Sequence, residues 1–159
     1  MSKIKRIITI DPSINFTGMA IFYNKKLIGY GLLQPKYKGD DYIEKSFSIY
    51  KQVRILIKNN SIDTMIIEVP DNFGTAGYLA RESGSVQKLT FVCGMLISLK
   101  IKINVVFLLP REWKGQLPKK TVYNRLNKLN YYKDLDFHKI NNNIADAIAI
   151  GHFYLHGRV

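Results

Sequence analysis

Two short runs of β-branched residues in this chain each reach an acid and then a proline. Residues 5–11 pass through Ile7, Ile8, Thr9 and Ile10 to Asp11 and Pro12, and residues 64–69 pass through Ile66 and Ile67 to Glu68, with Pro70 following. Runs of this length and composition read as buried strands. Each therefore presents a carboxylate at the C-terminal end of a strand, the edge where ligand sites of α/β sheets collect.

The segments around them predict how the two strands are arranged. Residues 17–23 and 26–33 form two further strands joined through Asn24 and Lys25 as a hairpin. After a loop at 34–40, Ile43, Phe47, Tyr50, Val53, Arg54 and Ile57 recur at helical spacing. Asp40 and Asp41 sit at the helix start, where negative charge is favoured. A second helix is expected over 82–99, with Val86, Leu89, Val92, Cys93, Leu96 and Ile97 on one face. A fifth strand follows over 103–109, then helices over 119–129 and 142–156. This is an α/β pattern in one domain spanning 1–159. Right-handed crossovers make a five-stranded mixed sheet of order 3-2-1-4-5 flanked by helices. Strands one and four are neighbours in that order, so Asp11 and Glu68 meet although 57 residues separate them.

A third acid, Asp146, stands in a helix otherwise built from small and aliphatic residues such as Ala145, Ile148 and Ala149. If that face packs on the sheet, Asp146 joins the other two, and Asn143 falls on the same helix face. Neighbouring carboxylates repel unless a proton or a cation lies between them. Hard oxygen ligands suit Mg²⁺ or Mn²⁺ better than zinc, and such clusters can hold two ions that cleave a phosphodiester. The structural alternative is that Asp146 simply pairs with a lysine, since burying an unpaired carboxylate is costly.

Composition narrows the partner. The 159 residues include 24 Lys and Arg against 12 Asp and Glu, a net charge of +12, which points to nucleic acid. With 47% apolar residues the chain is too hydrophobic for a disordered basic tail. Lys100 and Lys102 interrupt the longest apolar stretch, 89–106, which argues against a membrane span. A single cysteine, Cys93, and no cleavable leader predict an intracellular, cytoplasmic protein without disulfides.

The segment Ile8-Thr9-Ile10-Asp11-Pro12-Ser13-Ile14-Asn15-Phe16-Thr17-Gly18, together with Ile66-Ile67-Glu68 and Ile144-Ala145-Asp146-Ala147-Ile148-Ala149-Ile150, resembles the RuvC-type Holliday junction resolvases of the RNase H-like superfamily. Residues 113–119, Trp-Lys-Gly-Gln-Leu-Pro-Lys, resemble a segment of the phage-encoded members. The resemblance implies a metal-dependent crossover junction endodeoxyribonuclease of recombination and repair, working as a homodimer on four-way DNA junctions; the likeness to phage members extends this to action in a host cytoplasm. It implies catalytic and metal-binding roles for Asp11, Glu68 and Asp146, with Asn143 as the fourth member of the set, and Mg²⁺ as cofactor, Mn²⁺ as a substitute and two ions per site. Asn143 stands where the family usually has an acid or a histidine. A neutral amide still offers a carbonyl oxygen but carries no charge and cannot act as a base, and Asp136 or His138 are candidates to compensate.

Ten of the basic residues lie in 98–139, against three acids, and are expected near the carboxylate edge, contacting phosphates. Lys114, Lys119 and Lys120 are the leading DNA-binding candidates, with Arg81 behind them. Phe73, in the glycine-containing loop after Glu68, either stacks on an unpaired base or folds onto the core. The resemblance also implies dimerisation through the helix at 82–99, whereas its periodicity equally permits a monomer. Competing readings are an RNase H-like nuclease acting on RNA/DNA hybrids or other branched DNA, a junction-binding protein that does not cleave, and an actin-like ATPase, for which the chain is too short to supply a second enclosing domain.

Overall fold

The computed structural model of the protein describes residues 6–71 and 84–158. Its strands are β1 (Arg6–Asp11), β2 (Thr17–Tyr23), β3 (Lys26–Leu33), β4 (Thr64–Glu68) and β5 (Asn104–Leu108). They form one sheet in the order β3-β2-β1-β4-β5. β1 runs antiparallel to β2 and parallel to β4, and β4 runs parallel to β5. The mixed sheet and its strand order are those the sequence predicts. Asn24 and Lys25 take φ values of 46° and 67°, the positive angles of the two-residue turn whose twist suits a hairpin.

Helices cover both faces. On one, α1 (Tyr42–Asn59) and α2 (Ser85–Ile97) bury Ile49, Val53, Val92 and Leu96 against Ile8, Ile10, Met65 and Ile67. The Asp41 carboxylate caps α1 by accepting the Ile43 N–H at 2.8 Å. Cys93 lies in this layer, and burial, with Glu68 and Asp11 adding to it, pushes its thiol up to about 12. On the other face lie the short α3 (Pro110–Trp113), α4 (Lys119–Leu126) and α5 (Asn142–His156), packed over Ile7, Phe22 and Ile66. Side chains alternate along a strand. Because Ile7 and Ile66 face α5, Asp11 and Glu68 face it too.

α5 is buried without a break from Ala145 to His152. Small residues permit this. A Cβ on Gly18 would stand 1.9 Å from the Asn143 carbonyl oxygen, and one on Gly151 would stand 2.1 Å from the Phe22 ring. The helix is also pinned by a polar contact, since the buried Thr9 hydroxyl donates to the Ala147 carbonyl at 2.6 Å.

Some boundaries differ from expectation. The helix expected over 119–129 closes at Leu126, and Asn130–Tyr132 forms a separate 3-10 turn. α2 ends at Ile97, and Ser98–Ile101 tightens into a 3-10 turn. The fifth strand is one residue shorter at each end. α3 carries no sequence signal of its own, because four residues are too few to show a period; Pro110 opens it at a position where a missing N–H does no harm. Among the described residues no helix is long and apolar enough to cross a membrane.

Gly18→Ala sets a methyl against backbone that can move only by lifting the first turn of α5. The expected loss is about 1–3 kcal/mol, read as a lower urea midpoint with an unchanged slope. An unaltered midpoint would mean that α5 is not seated this closely on β2.

Candidate active site

Ile10 lies opposite Ile67 in the parallel register of β1 and β4, so the next residues along the two strands, Asp11 and Glu68, stand side by side at the sheet edge. Asp146, one turn into α5, faces them from above and is only 1% exposed. Two of the carboxylates are held by neighbouring side chains. The Tyr123 hydroxyl donates to Asp146 Oδ1 at 2.7 Å, and the Lys119 ammonium donates to Asp146 Oδ2. The Trp113 indole N–H donates to Glu68 Oε2.

The three acids feel one another. Burial, followed by the charges of Asp146 and Glu68, holds the Asp11 carboxyl well above the usual carboxylate range, although Lys119 and Lys114 pull the other way. Glu68 is raised chiefly by burial, with Asp146 adding to it and the Trp113 hydrogen bond opposing it. Burial works against the charge on Lys119, yet Asp146, its hydrogen bond, Asp11 and Glu68 together outweigh burial and raise its pKa. Burial and then Asp146 raise Tyr123, which keeps it protonated as a donor.

The alternative reading of Asp146, a pairing with a lysine, is therefore what the structure shows, and the pair lies inside the acid cluster. Asn143 directs its amide nitrogen to the Phe16 carbonyl, while its N–H donates to Asn141 Oδ1 at 2.9 Å, tying the start of α5 to the β1–β2 loop. Asp136 pairs with Lys139 at 3.3 Å, and His138 Nε2 is hydrogen-bonded to Asn124 Oδ1 at 2.7 Å. Lys114 Nζ lies 5.4 Å from the centre of the Trp113 ring, and Lys120 is exposed on the first turn of α4 beside Lys119. Phe73 and Arg81 lie outside the described residues.

The basic segment is not gathered at one edge as expected. β5 runs parallel to β4, so Lys100 and Lys102, which precede it, lie at the sheet edge opposite the acids. Arg111, Lys114, Lys119 and Lys120 follow β5 and lie on the acid side. Sequence reasoning misses two partners of the acids, Tyr123 and Trp113, in these roles. A signal for Tyr123 existed, because it is four residues beyond Lys119 on the same face of α4.

No protein-family model matches the sequence, and no curated protein matches it. In three dimensions the chain is similar to Thermus thermophilus RuvC in complex with a Holliday junction substrate, with a TM-score of 0.70 and 16% identity over 96% of this chain and 97% of that one. Another structure of T. thermophilus RuvC gives 0.69 and 15%, over 94% and 93%. The yeast mitochondrial Holliday junction resolvase Ydc2 gives 0.57 and 13%, over 95% and 78%. The fold is RNase H-like.

Among the described residues no group of three or more His, Cys, Asp or Glu side chains is arranged to hold a metal ion. Asp146 is engaged by Lys119 and Tyr123, and Glu68 by Trp113. The donors are nonetheless all carboxylate oxygens, the chemistry of a Mg²⁺ or Mn²⁺ site. Their mutual repulsion calls for positive charge, which Lys119 supplies in part.

Raised carboxyl pKa values make the metal-free fold sensitive to pH. Folded Asp11 and Glu68 keep their protons to higher pH than the unfolded chain does, so the folded state binds more protons and loses stability as pH rises from about 4 through the folded values. Asp11→Asn in chelator-treated buffer at pH 7 is expected to raise the melting temperature by roughly 2 °C or more and to flatten its fall with pH. A lower melting temperature for that variant would contradict the repulsion.

Proposed function

We propose that this chain is a divalent-metal-dependent endonuclease that hydrolyses phosphodiesters in branched DNA and resolves four-way junctions by paired nicks. The observation that carries the reading is the meeting of Asp11, Glu68 and Asp146, each electrostatically coupled to the others, at the C-terminal edge of an RNase H-like sheet. The likeness in fold to RuvC in complex with a Holliday junction substrate supports the choice of DNA, as does the net charge of +12.

In this reading Asp11, Glu68 and Asp146 hold Mg²⁺, with Mn²⁺ able to replace it and Asn143 offering a carbonyl oxygen to a second ion. Bound there, the ions supply an activated water and a stabilised leaving oxygen. The protein's own groups set the geometry. Tyr123 fixes the rotation of the Asp146 carboxylate, and Trp113 fixes that of Glu68. Lys114, Lys119 and Lys120 attract the phosphate backbone, with Arg81 a further candidate, and Phe73, in the loop sequence after Glu68, is a candidate to stack on an unpaired base. Outer partners of this kind matter because a ligand carboxylate free to rotate binds its ion less well. A symmetric homodimer would present two such centres to two strands of a junction. The surface of α2 suits a partner helix, since Phe91 is 36% exposed and, among the described residues, nothing lies within 4 Å of where a Gly94 side chain would start.

The test is nicking of a synthetic four-way junction, a linear duplex and an RNA/DNA hybrid, with and without Mg²⁺. Symmetric, Mg²⁺-dependent junction nicking is expected. Tyr123→Phe should slow it about 10–100-fold, the usual effect of losing a partner of a metal ligand. Asp11→Asn, Glu68→Gln and Asp146→Asn should each slow it beyond about 100-fold. Cleavage confined to the hybrid would favour another RNase H-like nuclease, and tight junction binding without nicking would favour a protein that binds without cutting. Either result would overturn the resolvase reading.

A further inference from the structure

Resting on that reading of the acid cluster, we propose that Lys119 is the resident counter-cation of the centre. Its ammonium must leave Asp146 before a divalent ion can bind, and the same movement frees it for a substrate phosphate. Each oxygen of Asp146 already accepts a hydrogen bond, Oδ1 from the Tyr123 hydroxyl and Oδ2 from the Lys119 ammonium. The two partners differ in freedom. Tyr123 is 5% exposed and packs against the Phe137 ring, with centroids 6.2 Å apart. The Lys119 side chain is about half exposed and comes from the first turn of α4, next to the exposed Lys120. An incoming ion therefore finds one fixed and one movable partner on its ligand.

Electrostatics forbids a compromise. An ammonium and a divalent ion on one carboxylate oxygen repel strongly at contact distance. The long lysine stem can carry the charge away at little steric cost. Once off Asp146, the ammonium sits among Lys114 and Lys120 on the acid side of the sheet, where a phosphate would meet it. A phosphate that holds Lys119 vacates Asp146 for the ion, and an ion on Asp146 releases Lys119 to the phosphate. Metal and DNA then reinforce each other's binding through one side chain, and this coupling must be reciprocal.

The test measures metal uptake rather than turnover. The full chain, Lys119→Gln and Lys120→Gln are titrated with MnCl₂ in the absence of DNA, and free Mn²⁺ is followed by electron paramagnetic resonance. Circular dichroism confirms that each is folded. Lys120→Gln removes the same charge from the adjacent residue and so measures the general effect of lowering net charge. Lys119→Gln is expected to bind Mn²⁺ about tenfold more tightly than Lys120→Gln, the scale set by removing one like charge from contact with a divalent ion. Lys119→Gln binding no more tightly than Lys120→Gln, while the unaltered chain does take up Mn²⁺, would overturn the counter-cation and leave the nuclease reading standing. No uptake by any of the three would overturn both.

Discussion

Three carboxylates that the chain brings together from two strands and a helix cannot all be charged in a half-buried site without a cation. That repulsion organises the edge of the sheet. Asp11 and Glu68 hold their protons more tightly than ordinary carboxyl groups, and the Lys119 ammonium is drawn onto the deeply buried Asp146. A fold optimised only for stability would have no reason to keep such a cluster, because burying like charges works against the folded state. The cluster stands at the C-terminal edge of a central pair of parallel strands, the edge where ligand sites of α/β sheets collect.

The rest of the architecture keeps the cluster assembled. Strand alternation turns Asp11 and Glu68 toward α5, and the close seating of that helix brings Asp146 over them. Close seating in turn depends on Gly18 and Gly151, where no side chain fits, and on the buried hydrogen bond from Thr9 to the Ala147 carbonyl. Trp113 and Tyr123, held by α3 and α4, then fix the orientation of two of the three carboxylates. Sequence, packing and site geometry are thus linked through the distance between one helix and one sheet.

Much of this is legible in the residues alone, for physical reasons. A β-branched run broken by an acid and a proline encodes a strand end locally, and right-handed crossovers leave few ways to order five strands, so the neighbourhood of Asp11 and Glu68 follows. Asp146 stands out because a lone acid is costly on an apolar helix face. What the sequence hides depends on distances between elements. That Trp113 reaches Glu68, or that the lysine partner of Asp146 is Lys119, follows from how α3 and α4 pack on the sheet, and no local period records it. The basic residues of 98–139 form a single cluster in the sequence, yet β5 carries the chain across the sheet and separates Lys100 and Lys102 from Lys114, Lys119 and Lys120.

The most direct measurement is a crystal structure determined in MnCl₂ with data collected at the manganese absorption edge. An anomalous peak enclosed by the carboxylates of Asp11, Glu68 and Asp146, with the Lys119 side chain turned away from Asp146, is the predicted result. A map without a manganese peak among those carboxylates, with Lys119 still on Asp146 and Trp113 on Glu68, would contradict the account at its centre.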